Sequence, residues 1–273
     1  MIYKNSEQIF EEIVCGEVLY LSYPLLAETG IVKQGFSTRL GGVSSGIYSS
    51  MNLSFAQGDE EANVRENYRR MAVALGVDEK NIVKPRQTHT TNVHKVTKEN
   101  KEAEFQDVDG LVTNEPGLCL ATTYADCVPL FFVDPVHKAI GLSHSGWRGT
   151  VGKIGEVTLK KMAEEYGTKA EDVIAAIGPS ICQDCYEVSE DVILKFKEAF
   201  DEIYWKELFY EKENKKFQLN LWKANEIIMR QAGVRKENIA VTNVCTNCNS
   251  DLLFSHRATQ GKRGALAAFL VLK

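Results

Sequence analysis

The chain has 273 residues, 44% of them hydrophobic, enough to bury a substantial core in one large domain or two small ones. A net charge of −5 and a pI near 5.7 argue against a general nucleic-acid binder, whose surface carries a basic surplus. No apolar span of about 18 residues and no signal-like amino terminus occurs, so a cytoplasmic protein without membrane attachment is expected; in that reducing setting the seven cysteines read as thiols, ligands or redox groups.

In chain order, apolar spacing predicts helices near Ser6 to Val14, Asn63 to Leu75, Val151 to Tyr166, Ser189 to Phe200 and Leu221 to Ala232. Strands are expected near Val83 to Arg86, Val93 to Val96, Leu118 to Thr123, Val128 to Val133, Ala139 to Leu142, Val173 to Ile177, Ile239 to Val244 and Ala265 to Leu272. Lys98 to Phe105 and Tyr210 to Lys216 read as solvated loops, and no low-complexity linker occurs. Strands come in runs as well as between helices, which predicts an α+β fold with much antiparallel pairing. One domain spanning residues 1–273 follows.

Three segments repeat a helix, a glycine, a short polar turn and an apolar strand. They are Ala74 to Val83, Glu165 to Ile174 and Gln231 to Ala240. Gly76, Gly167 and Gly233 suit the left-handed position that ends a helix. Each strand leads into a motif: Arg86-Gln-Thr-His89, Gly178-Pro-Ser180 and Cys245-Thr-Asn-Cys248.

The run from Cys127 to His144 carries the most chemistry. Two apolar stretches flank Asp134-Pro-Val-His137, whose Asp and Pro are turn formers, so an antiparallel hairpin is expected. With Asp134 pairing near His137, the register sets Cys127 opposite His144, at a Cβ separation of roughly 4.5–5.5 Å. The pair suits either a shared metal or a nucleophile with its base, and a one-residue slip would part the two side chains. Singly, each also reads as an ordinary buried residue.

His89 supplies a third donor, since an active-site zinc takes three protein ligands and keeps a fourth position open. His94 competes with it, but a strand through both histidines would turn them to opposite faces. After His144, Ser145-Gly-Trp-Arg-Gly-Thr150 leads into a helix, where Arg148 and exposed N–H groups suit an anion. Arg39, in the loop Ser37 to Gly46, is a second anion candidate, although that loop lacks a phosphate-loop or dinucleotide fingerprint. Both arginines equally suit ordinary turn and surface roles.

Taken together, Thr38-Arg-Leu-Gly-Gly-Val-Ser44, Gln87-Thr-His89, Asp109-Gly-Leu-Val112, Ala125-Asp-Cys127, His144-Ser-Gly-Trp-Arg-Gly149, Ile177-Gly-Pro179, Cys185-Tyr-Glu-Val188 and Cys245-Thr-Asn-Cys-Asn249 resemble the YfiH/YlmD family, long labelled multicopper polyphenol oxidases or laccase-domain proteins. The likeness spans most of the chain and is nearest to the bacillar YlmD branch. It implies a layered α/β sandwich similar to the catalytic domain of the cytotoxic necrotizing factors. It also implies purine nucleoside phosphorolysis, with adenosine deamination and methylthioadenosine phosphorolysis as companion reactions. By position, the family's metal ligands fall on His89, Cys127 and His144. Thr90 and Ser145 replace the usual glycine and alanine, and Leu253-Phe-Ser-His-Arg257 lacks the usual tyrosine.

The expected chemistry is zinc-centred, with copper the less favoured metal. Purine nucleosides and phosphate are the expected partners. Zinc-activated water suits deamination, while Arg39 and Arg148 would position phosphate for attack on the ribose anomeric carbon. Asp126 reads either as a ligand-orienting or proton-accepting carboxylate or as a turn residue. Three alternatives stand beside this reading. The first is a metal-free hydrolase or amidase of peptidoglycan precursors with Cys127 as nucleophile and His144 as base. The second is a binding module stabilised by zinc on Cys182, Cys185, Cys245 and Cys248. Copper-dependent phenol oxidation is the weakest, since the repeated His-X-His pairs of a multicopper centre are missing.

Overall fold

Period-two alternation along Val128–Asp134 and Ala139–Ser145 sends Phe131, Val133, Ile140 and Leu142 to one core and Val128, Leu130, Phe132 and Ala139 to another. Strands buried on both faces belong at the centre of a layered fold. The computed structural model, which describes residues 1–273, places them there.

They lie in a six-stranded sheet ordered Ile239–Val241, Ile174–Ile177, Val128–Asp134, Ala139–Ser145, Gly110–Thr113 and Val93–Lys95 from edge to edge. A second six-stranded sheet runs Glu11–Cys15, Val18–Ser22, Val32–Ser37, Leu266–Leu272, Cys119–Tyr124 and Ile82–Val83. Its Phe36, Leu120, Leu266, Ala268 and Leu270 share the inner core with the first sheet. Outside the second sheet, helix Glu61–Leu75 buries Val64, Tyr68 and Met71; outside the first lie helices Ile154–Tyr166, Glu190–Ala199 and Leu221–Gln231. The result is a helix–sheet–sheet–helix sandwich. Most pairings are antiparallel, and four are parallel. Phe131 and Phe132, both fully buried, anchor the two cores from opposite faces of one strand, each contributing roughly 1.5–3 kcal/mol. No helix is long and apolar enough to cross a membrane.

The three repeated segments form as expected. Gly76, Gly167 and Gly233 all take positive φ after a helix, and short 3-10 turns at Glu79–Asn81, Ala170–Asp172 and Lys236–Asn238 lead into the strands. Two of those strands, Ile174–Ile177 and Ile239–Val241, are parallel neighbours, so the motifs after them emerge side by side.

Several local expectations need correction. Ser6 to Val14 is not a helix: Glu11–Cys15 is a strand, paired with Val18–Ser22 across a turn led by Gly16, whose φ is +59°. The helix expected from Val151 to Tyr166 divides into Trp147–Val151 and Ile154–Tyr166, because Lys153 adopts φ +56° between them. The Val83 to Arg86 strand also divides: Ile82–Val83 joins the second sheet, whereas Pro85–Arg86 pairs with Phe105–Gln106. Phe105 is accordingly buried in the core rather than solvated. Tyr210 to Lys216 belongs to a small hairpin, Phe209–Glu211 with Phe217–Leu219.

The central hairpin forms in a different register. Asp134 faces Ala139, so the turn holds the four residues Pro135 to Lys138, with Lys138 at φ +50°. The Asp134 carboxylate accepts hydrogen bonds from the N–H groups of Val136 (2.9 Å) and His137 (3.0 Å), which fixes this wider turn. His144 consequently faces Pro129. A two-residue displacement conserves the face on which a side chain emerges, so Cys127 and His144 still meet, as diagonal neighbours.

Candidate metal centre

His144 continues the inner-facing series Ile140, Leu142 next to the end of its strand, so its ring closes one end of the inter-sheet core. It is 4% exposed and lies 5.4 Å from the Tyr124 ring, centre to centre. Its Nδ1 is 2.8 Å from Asp109 Oδ1. Asp109, fully buried just before strand Gly110–Thr113, also accepts the N–H groups of Thr88, His89 and Thr90 at 3.2, 3.1 and 2.7 Å, and the Thr90 hydroxyl at 2.9 Å. One carboxylate therefore folds the 88–90 loop around itself. That wrapping holds His89 at φ +67°, a left-handed conformation that costs a non-glycine residue roughly 1–2 kcal/mol.

Cys127 precedes strand Val128–Asp134, and its Sγ lies 3.9 Å from His89 Nε2. The donor atoms of His89, Cys127 and His144 all lie within 4.8 Å of one another. Close approach of the ligands needs a glycine beside them. A Cβ at Gly146 would come within 2.9 Å of His89 Cδ2 and 3.1 Å of Cys127 Sγ.

The electrostatics of the three groups are linked. Burial pushes the Cys127 thiol up, but His144 and then His89 outweigh burial and bring it down to about 6. Burial disfavours the His144 imidazolium, yet Cys127 and Asp109 raise it to about 9. Burial likewise opposes the Asp109 charge, while His144 and Thr90 hold its carboxyl at about 2. An ionised Asp109 only accepts, so His144 Nδ1 donates and Nε2 is left for a ligand. Two imidazoles and a thiolate, one imidazole braced by a buried carboxylate, are a donor set that suits zinc with one position open.

That centre lines a cleft of about 870 Å³, within the roughly 300–1,000 Å³ range of small-molecule sites. Phe55, Tyr68 and Tyr186 supply aromatic surface; Lys84, Arg86, Arg257 and Arg263 supply positive charge. Lys84 Nζ lies over the Phe55 and Tyr68 rings at 4.5 and 4.1 Å, and burial lowers its pKa. Burial also lowers Arg263, against the pull of Asp126 and Cys127, and its buried Nε has no hydrogen-bond partner.

The other sequence candidates fall elsewhere or are already engaged. Asp126 lines the cleft, but Oδ1 accepts from the Thr246 hydroxyl at 2.6 Å and Oδ2 from the Arg257 N–H at 2.7 Å. It ties the carboxyl-terminal segment to the Cys127 turn. Arg39 lies outside the lining: it donates to the Ser49 and Ser250 carbonyls and covers the Phe254 ring. Arg148 is exposed and stacks 4.4 Å over Trp147, also outside the lining. His94, on strand Val93–Lys95, points to Phe105 and takes no part. Sequence reading missed Asp109, Lys84, Arg257 and Arg263 as site residues. Asp109 and Arg257 did leave a signal, the first as a carboxylate set directly before a buried strand and the second in the motif Leu253-Phe-Ser-His-Arg257.

Residues 33–273 match the family model described as multi-copper polyphenol oxidoreductase laccase. The chain is 35% identical over 253 residues to the purine nucleoside phosphorylase YlmD of Bacillus subtilis, covering 89% of each protein. It is also 35% identical over 235 residues to the adenosine deaminase RL5 of an unknown prokaryotic organism, covering 82% of this chain and 88% of that one. The crystal structure of YlmD from Geobacillus stearothermophilus superimposes with a TM-score of 0.90 at 32% identity, covering 97% of this chain and 99% of that one. Sequence motifs, fold and matched length agree, and the chain belongs to the multi-copper polyphenol oxidoreductase laccase family, which includes the YfiH and YlmD proteins.

Proposed function

We propose that the chain is a cytoplasmic, zinc-dependent purine nucleoside phosphorylase that also deaminates adenosine and phosphorolyses methylthioadenosine. The observation that carries this reading is the meeting of His89, Cys127 and His144 in a cleft that offers both aromatic and cationic walls. A purine needs the first kind of wall and phosphate the second. The names borne by the 35% identical relatives support both reactions.

His89, Cys127 and His144 would hold the zinc, and Asp109 would fix the tautomer and direction of His144. Bound there, zinc supplies Lewis acidity, which suits activation of water for deamination. Phosphorolysis forms a bond between a phosphate oxygen and the ribose anomeric carbon, while the purine leaves with the glycosidic electron pair. Arg257 and Arg263, which line the cleft, would orient that phosphate and offset its charge; Arg39 and Arg148 are not among the lining residues. Phe55, which is exposed, and Tyr186 offer aromatic surface against which the base can stack, while Tyr68 is buried beneath Lys84 and Phe55.

Metal-analysed protein incubated with inosine or adenosine, with and without phosphate, tests the reading. Hypoxanthine and ribose 1-phosphate formed only with phosphate support phosphorolysis, and inosine from adenosine supports deamination. No purine product from zinc-loaded protein sinks it. A second reading has its own observation, the lowered Cys127 thiol beside an Asp109-braced His144, which is the order of a cysteine–histidine–aspartate hydrolase. Amide hydrolysis of a peptidoglycan precursor by metal-free protein would favour it.

A further inference from the structure

We propose that Cys182, Cys185, Cys245 and Cys248 form a second metal site, a tetrathiolate centre for one zinc ion that braces one wall of the cleft. All four sulfurs lie within 4.8 Å of one another, and Cys185 Sγ is 3.5 Å from Cys248 Sγ. A zinc with four sulfurs at about 2.3 Å sets them roughly 3.8 Å apart. This spread suits a single ion rather than a larger iron–sulfur cluster, and four thiolates are the soft donor set that zinc takes in structural sites.

The topology explains how two distant Cys-X-X-Cys pairs meet. Strands Ile174–Ile177 and Ile239–Val241 are parallel neighbours, and a parallel bridge between Ser180 and Cys245 extends their contact. Each pair then follows its strand at the same end of the sheet. Cys182 and Cys245 are buried, whereas Cys185 and Cys248 are half-buried, so the site is closed on one side and reachable by a metal from the other. Backbone N–H groups of Cys182 and Cys248 point at Cys245 Sγ from 3.2 and 3.5 Å. Such donors suit an anionic sulfur rather than a neutral thiol. The Lys4 ammonium, paired with Asp184 at 3.1 Å, adds positive charge beside the cluster.

The consequence for the cleft is mechanical. Ile181 and Tyr186, which flank the first pair, line the cleft. Thr246, inside the second pair, holds the Asp126 carboxylate next to Cys127. A metal joining the pairs fixes these two segments relative to each other without touching substrate. Its four filled positions leave no place for one.

The test uses full-length Cys127→Ala protein, which lacks the thiolate of the other centre and keeps all four cysteines of this one. We expect about one zinc ion per chain. After cobalt replacement, we expect the intense thiolate-to-cobalt charge transfer and d–d absorption of a tetrahedral S4 site. Cys182→Ser/Cys248→Ser, made in the same background, should lose both the metal and the spectrum. Should that variant fail to fold, the cobalt spectrum of the Cys127→Ala protein decides alone. Iron in place of zinc, a cobalt spectrum without thiolate charge transfer, or four free or disulfide-bonded cysteines in metal-supplemented protein overturns the proposal. Loss of metal from His89, Cys127 and His144 leaves this readout untouched, so the two centres stand or fall separately.

Discussion

Asp109 Oδ1 lies 2.8 Å from His144 Nδ1, and the same buried carboxylate gathers three consecutive backbone N–H groups of the loop that carries His89. Two of the three candidate ligands are thus placed by one side chain that is not itself a ligand. Asp109→Asn replaces an acceptor oxygen with a donor and should lower zinc affinity roughly 10- to 100-fold, the usual effect of removing such a brace. Competitive titration with a chelator measures it. Unchanged affinity would remove Asp109 from the orienting role.

Gly146 and Gly155 make a paired test of how tightly the ligands are packed. A methyl group at Gly146 presses on His89 and Cys127, so Gly146→Ala should impair metal loading. At Gly155, within helix Ile154–Tyr166, a Cβ meets Leu130, Ile228 and Phe132 only at 3.4–3.8 Å, ordinary contact distances. Gly155→Ala should therefore stabilise the fold by roughly 0.5–1 kcal/mol through helix propensity, with metal binding intact. Denaturant melts and metal analysis of both variants check the contrast. Equal metal loading in the two variants would show that the ligands tolerate the added methyl.

The three donors were readable in the sequence as reactive residue types, and the hairpin as two apolar runs around a turn. Their convergence was not readable from spacing, because His89 reaches the others only through the loop that Asp109 organises. The hairpin register shifted because the Asp134 carboxylate holds a four-residue turn, and proximity survived because the shift was even. Ser6 to Val14 misled because Ile9, Phe10, Ile13 and Val14 have helical spacing, whereas Glu11–Cys15 is a largely exposed edge strand whose pairing depends on the turn at Gly16. The cationic wall was hidden for a different reason. Lys84 lies far in sequence from Arg257 and Arg263, and each alone looks like surface charge.

Substitution of Arg263 would separate the two proposed purine reactions. Arg263 lines the cleft and its buried Nε has no partner, so an oxyanion reached by its guanidinium would gain a charge-assisted hydrogen bond of about 1.5–3 kcal/mol. Arg263→Met should raise the KM for phosphate roughly 10- to 100-fold in phosphorolysis. Adenosine deamination consumes no phosphate and should keep most of its rate. Steady-state kinetics with phosphate and nucleoside varied in turn distinguish the cases. Equal losses in both reactions would make Arg263 a support for the cleft rather than a phosphate ligand.

Asp134 offers a pH test away from the metal centre. Its side chain is fully buried, accepts the Val136 and His137 N–H groups, and lies 2.9 Å from His137 Nδ1. Burial opposes its charge, but Thr168 and the His137 and Val136 contacts outweigh burial and lower its pKa. A carboxyl depressed in the folded state adds stability above the unfolded value of about 3.9 and loses it as pH falls through the folded value. Asp134→Asn keeps the size but removes the charge, and should destabilise the protein by about 1–3 kcal/mol at neutral pH. The gap between variant and parent should begin to narrow below about pH 4, as Asp134 of the unfolded parent protonates, and close as pH falls through the lower folded value. Urea melts at pH 7 and at pH 3–4 measure it. A gap that stays constant across that window would mean the turn depends on the shape of Asp134 and not on its charge.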